Sequence, residues 1–272
     1  NHGRGVDVDA DDNVYVCGYE FGGWDDRKGH WVILKYDPEG NLASGFPIHY
    51  NHSTEFDYKD IALDIAVDSE GNMTVAGYRG NESALNLDWH VRKYNAGGTL
   101  LWEHTYAPDP NGGDDIAYAV VLDEAGDAYV SGHTHNGNDL DILVMKYSSN
   151  SGKSTVLEAA PLWTQTIAHP AAKKDVSYSL TLGRKGELLV GGYITDDNDL
   201  LQSALFSLDT VEGILLGEQI TDITVPNLVR WIEYRDGVLG TAGSFSNGTD
   251  YDVLISTSTF LQEVEGTGWI LD

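Results

Sequence analysis

Asp68-Ser-Glu-Gly-Asn-Met-Thr-Val-Ala-Gly-Tyr78 decides the fold, because its core recurs five times along the chain. The other copies read Asp12-Asn-Val-Tyr-Val-Cys-Gly-Tyr19, Gly126-Asp-Ala-Tyr-Val-Ser-Gly-His133, Gly186-Glu-Leu-Leu-Val-Gly-Gly-Tyr193 and Gly237-Val-Leu-Gly-Thr-Ala-Gly-Ser244. Their closing glycines, Gly18, Gly77, Gly132, Gly192 and Gly243, are 59, 55, 60 and 51 residues apart. A period of this length marks a repeat architecture.

The residues flanking the second copy fill in one period. Asp60 to Asp68 is an apolar run of strand length, Asp68-Ser-Glu-Gly71 is a turn, and Met73 to Tyr78 alternates as a second strand. A polar stretch from Arg79 to Leu87 follows. Trp89-His-Val-Arg-Lys-Tyr94 then alternates again, Asn95-Ala-Gly-Gly98 turns, and Thr99 to Tyr106 supplies a fourth strand. Four strands in about 55 residues make one propeller blade. The prediction is an all-β protein, a β-propeller of five four-stranded blades or a segment of a larger array. It is read as a single domain over 1–272, with repeats at about 1–59, 60–114, 115–174, 175–226 and 227–272.

The third strand recurs as Trp31 to Tyr36, Ile142 to Tyr147, Ser203 to Leu208 and Asp252 to Thr257, and in the first three repeats it ends in Lys-Tyr. A tryptophan marks the fourth strand at Trp102, Trp163 and Trp269. Large rings at one place in stacked sheets read as core between neighbouring blades. In the Lys-Tyr pair the ring should be buried while the lysine reaches the rim.

These residues resemble the SBBP repeat, a bacterial β-propeller family whose signature is a hydrophobic run followed by Asp-x-x-Gly-Asn-x-Tyr-Val-x-Gly. The Lys35-Tyr-Asp-Pro-Glu-Gly40 segment and, less closely, Lys93-Tyr-Asn-Ala-Gly-Gly98 fit the same pattern. The resemblance covers the whole chain and fades toward the C-terminus, where Gly183-Arg-Lys-Gly186 and Tyr234-Arg-Asp-Gly237 stand at the turn. It implies blade architecture and an exported or cell-surface protein, and it assigns no catalytic residue.

With 272 residues and 41% hydrophobic content, the chain can bury a substantial core. Sixteen basic against 43 acidic residues give a formal charge of −27. Such a surface repels phosphate backbones and anionic lipid, which argues against nucleic-acid partners, and no apolar run is long enough for membrane insertion. It attracts cations, so a divalent cation such as calcium is the one cofactor the composition invites. The single cysteine, Cys17, stands where other copies have Ala76, Ser131, Gly191 and Ala242, and so fills a small-residue position in a strand. Asn1 aligns with Asp60 and the chain ends where a fourth strand would finish. Two expectations follow: five blades closing by side-chain packing, or a piece of a longer array.

In propellers the loops from strand two to strand three lie on the face where ligands are met, and loops on a rigid scaffold are natural carriers of binding residues. Three features of that face are candidates. His133-Thr-His135 with Asp139 and Asp141 offers imidazole and carboxylate groups of the kind a divalent metal uses, without the defined spacing of a zinc site; no metal site is assigned. Asp60, Asp115 and Asp175 enter the first strands of repeats two to four as channel-mouth carboxylates. They suit calcium or acid-base chemistry, although recurrence in successive blades favours a structural task at a turn. Trp24, beside Asp25 and Asp26 in the longest of these loops, is a usual way to stack a sugar ring and bond its hydroxyls. No phosphate loop, nucleophile elbow, metalloprotease or dinucleotide motif is present.

The leading expectation is an extracellular interaction or ligand-binding module for carbohydrate or a protein partner. A glycan-acting hydrolase or lyase with carboxylates at the channel mouth is the second. A structural subunit of a surface layer or filament is the third.

Overall fold

A computed structural model of the chain describes residues 2–23, 26–52, 59–81, 86–108, 112–149, 158–169, 173–184, 186–221, 227–246 and 251–259. For 22–23, 26–28, 221, 227–228, 244–246 and 251–259 only the backbone is described. The described residues form nineteen strands in five antiparallel sheets. Sheet one is β1 (His2–Val8), β2 (Val14–Gly23), β3 (Asp26–Tyr36) and β4 (Ile48–Tyr50); sheet two is β5 (Ile61–Val67), β6 (Met73–Asn81), β7 (Asn86–Tyr94) and β8 (Leu100–Tyr106). Sheet three is β9 (Ile116–Leu122), β10 (Ala128–His135), β11 (Leu140–Tyr147) and β12 (Trp163–Ile167). Sheet four is β13 (Val176–Leu182), β14 (Glu187–Thr195), β15 (Leu201–Asp209) and β16 (Leu215–Thr221), and sheet five is β17 (Asn227–Arg235), β18 (Val238–Ser246) and β19 (Tyr251–Thr259). In every sheet the strands follow one another in chain order, as in propeller blades. The expected fourth strand of sheet five, with Trp269, lies outside the described residues.

The recurring glycine has a geometric cause. Gly18 pairs with Gly3 and Cys17 with Gly5, which leaves Arg4 as an extra residue in β1. The same two-against-one count leaves Leu63 extra opposite Gly77, Tyr178 opposite Gly192 and Arg230 opposite Gly243. At the β-bulges opposite Gly18, Gly77 and Gly192 the first strand swings a carbonyl against the second. A Cβ on Gly18, Gly77 or Gly192 would lie 2.0, 2.1 or 2.0 Å from the carbonyl oxygen of His2, Ile61 or Val176. These glycines are therefore required by contact and not by left-handed backbone.

The turn before each second strand is held by its aspartate. Asp68 Oδ1 accepts the amides of Glu70 at 3.0 Å and Asn72 at 2.9 Å, and Oδ2 accepts the Asn72 side chain. Asp9 and Asp123 repeat the pattern, each adding a tyrosine hydroxyl, from Tyr15 and Tyr129. The lysine of the Lys-Tyr pair completes this unit and does not reach the rim. Lys93 is 2% exposed, with Nζ 3.5 Å from Asp68 Oδ2 and donating to the Gly126 carbonyl at 3.2 Å. Lys35 and Lys146 approach Asp9 and Asp123 at 4.0 and 3.9 Å, Lys146 also reaching Asp127 at 3.2 Å. A carboxylate saturated by neutral donors still carries its charge, and the lysine neutralises it. Two of the three tyrosines go inward, Tyr94 and Tyr147 at 2% and 0% exposed, whereas Tyr36 is half-buried.

The hairpins between second and third strands are longer than the alternation predicts. The β6–β7 ladder runs on to Asn81 opposite Asn86, and β2–β3 to Gly23 opposite Asp26. Backbone pairing does not need apolar side chains, so polar residues from Arg79 onward continue the strand.

The chain forms two compact units, and their boundary runs through sheet three. Unit one holds residues 1–130, 134–137 and 145–162, and unit two holds 131–133, 138–144 and 163–272. In unit one the first strands neighbour each other, β1 beside β5 and β5 beside β9. Tyr15, Cys17, Trp31 and Ile33 of sheet one pack with Ala62, Ile65, Met73, Val75 and Tyr94 of sheet two. Trp102 stacks on Tyr147 with centroids 5.2 Å apart. First strands are sheet edges with unpaired amides, and carboxylates meet two of them: the Val67 amide donates to Asp7 Oδ2 at 2.7 Å and the Val120 amide to Asp64 Oδ2 at 2.9 Å. In unit two β13 neighbours β17, and Leu189 packs with Ile232 and Leu239.

Candidate functional site

Asp60, Asp115 and Asp175 stand one residue before β5, β9 and β13 and are 0%, 1% and 1% exposed. Asp60 accepts the amides of Gly80 at 3.0 Å and His52 at 2.7 Å, and its own amide donates to Gly29 in β3. Asp115 Oδ1 accepts the Thr134 hydroxyl at 2.6 Å and the His135 amide at 2.9 Å, and its amide donates to Leu87 in β7. Asp175 accepts the amides of His169 and Thr195 and donates to Leu140 in β11. Each aspartate thus ties the start of a first strand to the end of its own second strand and to the third strand of the preceding sheet. Burial raises all three carboxyls above the usual range, Asp115 to about 6 despite the bonds from Thr134 and His135. Both oxygens of Asp60 and Asp175, and Oδ1 of Asp115, accept from protein donors.

His133 and His135 lie in β10 and not in a loop. His133 is 4% exposed; the His135 ring rests against Gly113 and its Nδ1 accepts the Gly137 amide at 3.1 Å. Asp139 sits before β11, and Asp141, 7% exposed, within it; both have partners of their own. Among the described residues no group of three or more His, Cys, Asp or Glu is placed to hold a metal ion. Trp24 and Asp25 lie outside the described residues, and Asp26 opens β3 with only its backbone described.

The bulges place a group that the sequence reading did not single out. In unit one, the bulge residue Arg4 holds its guanidinium carbon 5.6 Å from the centroid of Tyr19, the residue after Gly18. His2 stacks on the same ring at 4.8 Å and 19°, and Phe21 stands edge-on to Tyr19 at 5.4 Å. His2 and Arg4 are exposed, as is Phe21 at 38%. Tyr78, at the matching place in sheet two, has its phenol raised to about 12 by burial and lies within the fields of Arg4, Tyr19 and Asp114. Unit two carries a counterpart built from two bulges: Arg230 holds its guanidinium carbon 4.2 Å from the Tyr178 centroid, and Tyr178 lies 5.9 Å from Tyr193. A signal was present, since Tyr19, Tyr78 and Tyr193 each follow the repeat glycine and Arg4 and Arg230 precede theirs by 14 and 13 residues. Together these groups offer flat apolar faces next to a planar cation, the surfaces that a sugar ring and a planar anion require.

A second polar group lies between sheets one and two. His90 is 0% exposed, stacks on Tyr50 at 5.1 Å and shares a hydrogen bond with the Thr105 hydroxyl at 2.9 Å. Burial, reinforced by Arg92 and Arg79, holds it neutral, far below the usual histidine range. Arg92 lies over Tyr50 at 3.9 Å and pairs with Glu103 at 3.0 Å. With His90 enclosed, this group is an internal brace.

No family model and no curated protein matches the chain. Solved structures do. The chain is similar to hydrazine synthase of Kuenenia stuttgartiensis, at 11% identity and a TM-score of 0.58 over 94% of this chain and 62% of that one. It is similar to a glucose dehydrogenase, at 17% identity and a TM-score of 0.50 over 92% and 79%. It is also similar to the polysaccharide lyase Uly1, at 11% identity and a TM-score of 0.52 over 93% and 56%. The chain thus spans less than two thirds of the first and third of these chains. At such identities the likeness is one of fold, and the fold is a β-propeller.

Proposed function

We propose that this chain is a secreted or cell-surface binding module of SBBP-type repeats that takes carbohydrate. The observation that carries the reading is the arginine-over-tyrosine arrangement at the first-strand bulges, present once in each unit. A bulge arginine resting on a tyrosine in each unit, on Tyr19 of β2 in one and Tyr178 of β13 in the other, suits a multivalent binder, whereas catalysis needs unlike groups in unlike environments. The hydrolase or lyase reading would need acids open to substrate, and the most perturbed of the three channel-mouth candidates, Asp115, gives its Oδ1 to Thr134 and His135. Titration of oligosaccharides picked from a glycan array tests the proposal. Tyr178→Ala and the pair Arg4→Ala with Phe21→Ala should each weaken binding about tenfold, one good contact's worth. Binding unchanged in all of them, or release of shortened glycan by the intact protein, would overturn it.

A further inference from the structure

We infer that the sugar bound by the unit-one group carries a carboxylate, that is, a uronic acid residue of an acidic glycan. This rests on the binding-module reading and deepens it.

Acidic residues outnumber basic ones by 43 to 16, so an arginine on this surface meets a carboxylate more readily than anything else. Six basic residues do so, Lys35, Arg79, Arg92, Lys93, Lys146 and Lys173, while Arg184 donates its Nε to the Tyr234 hydroxyl. Among the described residues no carboxylate lies within ion-pair distance of Arg4 or Arg230, and each rests on a tyrosine ring instead. A ring positions the guanidinium without using up its N–H donors, so a planar anion can still be met by two parallel hydrogen bonds.

The neighbours of Arg4 select the rest of the ligand. His2, Tyr19 and Phe21 contact one another at 4.8 to 6.2 Å, and Phe21 meets both other rings edge-on. Tyr19 is buried at 9% and holds the cation, while His2 and Phe21 present the exposed rings; an exposed ring in one cluster with a cation suits a body with an apolar C–H face and a carboxylate in its own plane, which describes a hexuronate. The bulge fixes this relation, since Arg4 is the extra residue opposite Gly18, whose contact with the His2 carbonyl admits no side chain. A neutral hexose would use the rings and leave the guanidinium to water.

The experiment is calorimetric titration with four probes: a galacturonate tetramer, its methyl ester, galactotetraose and a sulfated galactose tetramer. The acid should bind at least tenfold more tightly than the ester, whose ring is the same and whose charge is gone. Arg4→Gln should abolish that preference and Arg4→Lys should restore part of it, with thermal stability unchanged because Arg4 is exposed. Arg230→Gln reads the counterpart in unit two. Equal binding of acid, ester and galactotetraose would overturn the carboxylate and leave the binding module standing. Preference for the sulfated probe would overturn the uronate in favour of a sulfate ester. No binding of any probe, with array hits also absent, would remove both readings.

Discussion

Gly77 is held to glycine by one oxygen atom, the Ile61 carbonyl, which a methyl group would meet at 2.1 Å. Gly77→Ala must push two strands apart, and we expect a loss of about 2 kcal/mol or more in denaturant unfolding. Gly97→Ala is the control: its Cβ would meet only the Asn95 side chain, at 3.5 Å, and the change should stay within about 0.5 kcal/mol. Equal losses at both positions would mean that the carbonyl contact is not what selects glycine. At this scale the sequence showed the recurrence of Gly18, Gly77 and Gly192 and hid its reason. A bulge is a difference in count between two paired strands, and neither Arg4 nor Leu63 has a residue type that announces it. The site built from Arg4, Tyr19 and Phe21 was illegible on the same ground, while the loop at Trp24 attracted attention because its composition was unusual.

Each turn-and-lysine unit joins parts that stand apart in the chain. Asp68 organises the turn into β6, and Lys93, two strands later, neutralises it from a position almost without solvent. Lys93→Met should therefore cost about 2–3 kcal/mol, somewhat less than for a fully buried pair, since the Asp68 side chain keeps 12% exposure. Lys35→Met, where the contact to Asp9 is 4.0 Å, should cost about 1 kcal/mol or less. Comparable losses in the two variants would refute an inward, charge-neutralising role specific to Lys93. Periodicity recovered these elements well, because strand, turn and strand leave alternating apolar residues and a glycine with left-handed backbone, as at Gly71 and Gly126. It placed Lys93 at the rim because alternation states which face a side chain leaves from and not where a long one ends. It also stopped the second strands early, since the ladder from Arg79 to Asn81 is carried by backbone and by Asp88, which pairs with Arg79 and accepts the Asn81 side chain, and not by apolar residues.

Over the whole molecule, a charge of −27 and the raised carboxyls of Asp60, Asp64, Asp115 and Asp175 act in the same direction. Burial raises Asp64 and Asp115 to about 6, so between about pH 4 and 6 the folded state binds more protons there than the unfolded chain does. Stability from these groups therefore increases as pH falls through 6, while self-repulsion also declines. Other carboxylates work oppositely. Asp9, where hydrogen bonds from Asn13 and Tyr15 outweigh the upward push of burial, and Asp37 and Asp196, held by Asn41 and the Leu200 amide, lie below the usual range. Their contribution is complete above the unfolded value and disappears in stronger acid. The melting temperature should rise from pH 7.5 to about 5 and fall below pH 4, and Asp64→Asn should flatten the rising limb; a curve falling steadily from neutrality would contradict this. The same charge makes a prediction for the proposed ligand: an anionic glycan should associate faster in higher salt, as screening relaxes the repulsion from the acidic surface. Stopped-flow rates that fall with salt would argue that local attraction dominates the approach.

The carboxylates that reach from one sheet to the next have a consequence for motion. Most amides in a blade are freed when a neighbouring strand frays, but those of Val67 and Val120 are fastened to Asp7 and Asp64 on another sheet. Their deuterium uptake therefore reports a different event, the parting of whole leaves. Two hydrogens, one repeat apart, serve as built-in gauges of how often the stack breathes.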